Sequence, residues 1–79
     1  MNTKTISEQN LKRLEYISLF LKNMRLNDGL TQQEVGMQTS LHRNTIYRIE
    51  NSKNITIVNL LELCDSYGIS ISELFMDLE

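Results

Sequence analysis

Seventy-nine residues suffice for one domain with a thin stability margin, because a chain this short buries only about 60–65% of its unfolded surface. A single cysteine, Cys64, and a single histidine, His42, exclude an internal disulfide and a Cys/His metal site, and no apolar run approaches the roughly 18 residues of a membrane span. The net charge of −2 is unevenly spread: residues 1–53 hold all eight Lys and Arg against five acids, a balance of +3, while residues 54–79 hold five acids and no base, so one end suits phosphate and the other does not.

The pattern predicts five helices in one domain over 1–79, with no repeat, linker or low-complexity tract. Thr5-Ile6-Ser7-Glu8 has capping-box spacing, so the first helix starts near Ile6. Residues 1–10 are an N-terminal extension or the start of that helix. Leu11, Leu14, Ile17, Leu21 and Met24 recur at helical spacing on one face. Asn27-Asp28-Gly29 ends this helix after about twenty residues, with Gly29 suited to a left-handed terminal position. Thr31-Gln32-Gln33-Glu34 is a second capping box opening a short helix with Val35 inward, and Thr39-Ser40-Leu41 interrupts it. A third helix runs roughly from Arg43 to Glu50, with Ile46 and Ile49 on one face, and Asn51-Ser52-Lys53-Asn54 is a polar loop. Thr56 caps a fourth helix bearing Ile57, Leu60, Leu61, Leu63 and Cys64, ended by Gly68. Ser70-Ile71-Ser72-Glu73 opens a last short helix with Leu74, Phe75 and Leu78. Met24 and Met37 read as core or boundary packing, and Cys64 as core. The N-terminus lacks the apolar stretch of a signal peptide, and a lone thiol fits a reducing compartment, so the expectation is a cytoplasmic protein.

Residues 31–50 carry the chemistry. Two short helices joined by three or four residues, with Val35, Gly36, Leu41, Ile46 and Ile49 at buried positions, match a helix-turn-helix. Gly36 supplies the small residue needed where the helices approach. The second helix of the pair keeps Ile46 and Ile49 inward, which leaves Arg43, Asn44, Tyr47 and Arg48 on the face free to enter a major groove. Arg donates two hydrogen bonds to guanine and Asn bonds adenine in the same two-pronged way. Arg43 and Asn44, at the helix start, are the leading base readers. Tyr47 packs on a thymine methyl or bonds a phosphate, and Arg48 lies further round, towards phosphate. Thr31 and Gln32 open a helix whose amides favour an anion, and His42, Lys53 and Asn54 are further backbone contacts. The plainer alternative makes Arg43, Asn44, Tyr47 and Arg48 an ordinary solvated face. Ile71, Phe75, Met76 and Leu78 crowd the C-terminal end, where a short helix has one inward face. They form either a dimer patch over residues 56–79 or, for Leu78, a fold-back on the same subunit.

Residues 21–75 resemble the Cro/C1-type, or XRE, helix-turn-helix family. The resemblance rests on Arg25, Leu30-Thr31-Gln32-Gln33-Glu34-Val35, Thr45-Ile46-Tyr47-Arg48-Ile49-Glu50, Leu60-Leu61-Glu62-Leu63 and Gly68-Ile69-Ser70-Ile71-Ser72-Glu73-Leu74-Phe75. It implies an all-α, lambda-repressor-like domain of five helices, with the helix-turn-helix at the second and third. It also implies a bacterial or phage regulator that binds double-stranded DNA as a homodimer on a two-fold-symmetric operator, with RNA polymerase among its implied contacts. An ion pair between Arg25 and Glu50 follows from the same resemblance. The run Asn51–Ile57 is similar to that of restriction-modification controller proteins. The chain departs from the family pattern at Thr39, Ser40, His42 and Ser52, where an apolar residue, Gly, Ser and Gly are usual. An antitoxin or other interaction module on the same fold is the alternative. No cofactor, metal or small-molecule ligand is expected, and with no paired carboxylates in a recognisable frame and no second histidine, no enzyme.

Overall fold

The computed structural model describes residues 6–52 and 54–78. It contains α1 (Glu8–Asn27), α2 (Gln32–Gln38), α3 (Arg43–Ser52), α4 (Ile57–Tyr67) and α5 (Ile71–Phe75), with no strand among the described residues. The all-helical architecture is the expected one, and most helix starts carry the cap that the sequence announces. Thr31 and Ser70 form reciprocal capping boxes with Glu34 and Glu73, and the Thr56 hydroxyl accepts the Asn59 N–H. Gly29 and Gly68 both adopt the left-handed conformation, φ 70° and 69°, which a Cβ would disfavour.

Two boundaries differ from expectation. Ser7 caps α1, its hydroxyl accepting the Asn10 N–H at 3.1 Å, so the helix begins at Glu8 and not near Ile6; Thr5 lies outside the described residues. At the other end of the helix-turn-helix, α3 runs to Ser52. There Asn51 Nδ2 donates to the Tyr47 carbonyl one turn back at 2.9 Å.

The core gathers Ile17 and Leu21 from α1, Val35 from α2, Ile46 and Ile49 from α3, Leu60, Leu63, Cys64 and Tyr67 from α4, and Leu74 from α5. Packing a fully buried Leu such as Leu21 or Leu63 stabilises the fold by about 1.5–3 kcal/mol relative to leaving it exposed. α1 packs against α3, α4 and α5, and α2 packs against α3, so the long helix is the strut on which the rest is mounted. Three sequence expectations give way here. Leu11 is exposed. Met37 is 79% exposed and not packed. On α4, burial falls at Leu60, Leu63, Cys64 and Tyr67, the i, i+3, i+4, i+7 stripe, which turns Ile57 and Leu61 outward, at 68% and 44% exposure.

At the C-terminal end, Ile71 and Leu78 pack half-buried against the core of their own chain, whereas Phe75 and Met76 stay exposed. The segment after α5 is tied to α1 by Tyr16 Oη, which donates to Asp77 Oδ2 at 3.3 Å. Of the two readings of Leu78, the fold-back is the observed one.

Candidate nucleic-acid interface

The interface is built around α3. Ile46 and Ile49 are buried, and Glu50, one turn beyond Ile46, shares their inward face. That orientation leaves Arg43, Asn44, Tyr47 and Arg48 exposed together. Positions 43, 44, 47 and 48 recur at three- and four-residue spacing and so form one stripe.

The turn before α3 forms without glycine. Thr39 Oγ1 donates to the Val35 carbonyl at 2.9 Å and accepts the Leu41 N–H at 3.1 Å, so one hydroxyl both closes α2 and starts the turn. Gly36 lets the turn come close: a Cβ there would stand 3.0 Å from the Leu41 carbonyl oxygen and 3.4 Å from the Arg43 nitrogen. His42 takes the place of a serine cap, its Nδ1 accepting the Asn44 N–H at 3.0 Å. A groove of about 420 Å³ runs along this crease, lined by Gln33, Gly36, Met37, Leu41, His42 and Arg43.

The far end of α3 is held by a buried network. Arg25 Nε donates to Glu50 Oε2 at 2.8 Å and Arg25 Nη2 to Glu50 Oε1 at 3.1 Å, while Arg25 Nη1 donates to the Leu30 carbonyl at 2.8 Å. The hydrogen bonds to Glu50 push the Arg25 guanidinium above its ordinary range, against the opposing effect of burial. Gln32 joins the network through Nε2, which donates to Glu50 Oε1 at 3.0 Å. The expected Arg25–Glu50 pair is therefore present with two-pronged geometry, the stronger form of such a contact.

The result is a two-helix unit whose second helix is held at both ends, with one face buried and the other carrying Arg, Asn and Tyr outward. The family description "helix-turn-helix" matches residues 21–74. The chain belongs to the helix-turn-helix family, a bacterial group of XRE-type DNA-binding transcription regulators and not of enzymes. Within the family it is 41% identical, over 61 residues, to the control protein C.MunI of Mycoplasma sp, covering 75% of this chain and 82% of that protein. Among solved structures it superposes on a tyrosine-to-alanine point mutant of the restriction-modification controller protein C.Esp1396I with a TM-score of 0.73, at 33% identity, covering 84% of this chain and 87% of that one. No helix among the described residues is long and apolar enough to cross a membrane.

The remaining site residues of this helix-turn-helix protein are placed as follows. Thr31 is exposed at the start of α2, its N–H donating to Glu34 Oε1 at 2.8 Å and its hydroxyl accepting the Glu34 N–H at 3.1 Å. Gln32 is half-buried beside Glu50, and Asn54 is exposed after α3. Lys53 lies outside the described residues. Two features escape a reading of the sequence. The Gln32–Glu50 bond joins residues 18 apart and carries no periodic signal. The outward apolar face of α4, Ile57, Val58 and Leu61, does leave a trace: the apolar arc of this helix is wider than a single inward stripe requires.

Proposed function

We propose that this protein is a sequence-specific regulator of transcription of the restriction-modification controller type, binding a two-fold-symmetric operator as a homodimer with α3 of each copy in the major groove. The observation that carries it is the exposed stripe Arg43–Asn44–Tyr47–Arg48 on a helix whose opposite face is buried at Ile46, Ile49 and Glu50. The two controller relatives support the same reading; nothing in them favours the antitoxin alternative.

In this reading Arg43 and Asn44 read base edges, Tyr47 and Arg48 complete the contact, and Thr31, Gln32, His42, Lys53 and Asn54 flank it along the phosphates. Each correct two-pronged base contact contributes about 1–3 kcal/mol of discrimination, and the phosphate contacts add a sequence-independent attraction that weakens with salt. The dimer is held by apolar side chains left outside the core, Ile57, Val58 and Leu61 on α4 with Phe75 and Met76 on or just after α5, since clustered exposed apolar groups mark association surfaces. The regulator works in the cytoplasm and contacts RNA polymerase.

Selection of binding sites from random duplexes tests this directly. The expected result is a two-fold-symmetric motif with half-sites about one helical turn apart, and Arg43→Ala should relax preference at one base pair per half-site without unfolding the protein. Absence of salt-sensitive binding to any duplex would overturn the function, and an unchanged motif with Arg43→Ala would remove Arg43 from base reading.

A further inference from the structure

We propose that the Tyr16–Asp77 hydrogen bond is a latch for self-association: Tyr16 and Asp77 are positioning residues that hold the segment after α5, so that Phe75 and Met76 present a formed surface to a second copy of the chain. The proposal rests on the homodimer reading above and adds the device that shapes its surface.

α5 is only five residues long. Leu74 is buried in it, while the next two residues, Phe75 and Met76, stay exposed. Beyond them the chain turns locally, the Leu78 N–H donating to the Phe75 carbonyl at 3.1 Å. Leu78 packs half-buried against the core, yet packing alone does not seat the segment. A crevice of about 190 Å³ lies between it and α1, lined by Gln9, Lys12, Arg13 and Tyr16 with Asp77 and Leu78. Tyr16 Oη reaches across from α1 and donates to Asp77 Oδ2 at 3.3 Å, joining residues 61 apart in the chain. Asp77 directly follows Met76, so fixing Asp77 fixes the backbone that carries the exposed apolar pair.

The chemistry suits a latch. The Tyr16 ring is in tilted contact with Phe20, centroids 6.1 Å apart, and Phe20 itself packs on the core, so the hydroxyl is offered from a fixed place. Desolvation first, and then the Asp77 charge and the bond itself, raise the Tyr16 phenol above its ordinary range. It therefore remains a donor through neutral pH. A surface already ordered in the monomer loses less conformational entropy on association than one that must be ordered at the moment of contact. A two-fold-symmetric dimer contains the latch twice, so its effect on the dimer equilibrium counts twice.

The test is sedimentation of the full chain over a concentration series, with no DNA present. Tyr16→Phe keeps the ring and removes the donor, and Asp77→Ala removes the acceptor. Each is expected to raise the dimer dissociation constant about tenfold, a modest loss per hydrogen bond counted twice. The double variant should lie within about twofold of either single one, since all three break the same bond. Asp77→Asn keeps an acceptor oxygen and should stay within about threefold of wild type. An unchanged constant in Tyr16→Phe, or losses that add in the double variant, would overturn the proposal. Equal losses in Asp77→Asn and Asp77→Ala would assign the effect to charge and overturn it too, as would a lower melting temperature of the monomer with an unchanged constant. A wild-type chain that stays monomeric at every concentration overturns the homodimer reading itself, and this proposal with it.

Discussion

Arg25 and Glu50 form the most consequential pair of side chains in the molecule, because both are buried and each satisfies the other. Truncating one leaves an uncompensated buried charge, so Arg25→Ala should lower unfolding free energy by about 3–5 kcal/mol, measured by chemical denaturation. Its affinity for DNA per folded molecule should fall far less. The reverse pattern would make Arg25 a DNA contact. Tyr67, buried beside this pair, should govern alkaline behaviour. Burial first, and then the Glu50 carboxylate, push its phenol well above the ordinary range, with Arg25 opposing. The unfolded chain releases this proton near pH 10 while the folded protein keeps it, so the folded state binds more protons and stability falls as pH rises past about 10. Tyr67→Phe should flatten the decline of melting temperature between about pH 9 and 11; an unaltered slope would remove Tyr67 as its source. At this scale the sequence is only partly legible. The stripe Arg43–Arg48 follows from helical spacing alone, whereas the Arg25–Glu50 pair is anticipated only through family resemblance. The Gln32–Glu50 bond has no forerunner in the sequence, since contacts between distant residues leave no local pattern.

The caps at Thr31, Thr56 and Ser70 and the left-handed Gly29 are readable because each is a local device, complete within four residues. The α1 cap sits two residues from its expected place because Thr5-x-x-Glu8 and Ser7-x-x-Asn10 overlap, and the spacing alone does not say which hydroxyl is used. The α4 faces are ambiguous for a different reason. Ile57, Val58, Leu60, Leu61, Leu63 and Cys64 cover so wide an arc that periodicity cannot tell the core face from its neighbour. Gly36 gives a sharper test of the α2–turn–α3 unit. Alanine favours a helix over glycine by about 1 kcal/mol, yet a Cβ at this site meets the Leu41 carbonyl oxygen at 3.0 Å. That oxygen belongs to a turn held by Thr39, so it cannot withdraw easily. Overpacking costs about 1–3 kcal/mol. Gly36→Ala should therefore be destabilising by about 1 kcal/mol in thermal melts; a gain in stability would show that the turn yields.

For the molecule as a whole, charge is unevenly divided along the chain. All eight bases lie in residues 1–53, and the outward apolar groups of α4 and α5 lie in the acidic remainder. Under the proposed function, α3 reads the duplex and the outward apolar groups of α4 and α5 carry self-association. Leu61→Glu, on the outer face of α4, should leave the melting temperature nearly unchanged at concentrations where the chain is a monomer. It should shift sedimentation towards the monomer and weaken operator binding, and an unaffected association state would exclude this face. The charge division is visible in the sequence, whereas the outward apolar face of α4 leaves only a wide apolar arc there, because packing decides which part of that arc faces the core.

The long first helix meets the C-terminal segment near Tyr16 and the DNA-reading unit at Arg25. Glu8 stands about 26 Å along the same rod from Arg25, at about 1.5 Å per residue. A fluorophore or fused reporter joined ahead of Glu8 would accordingly ride on the end of a rigid spacer.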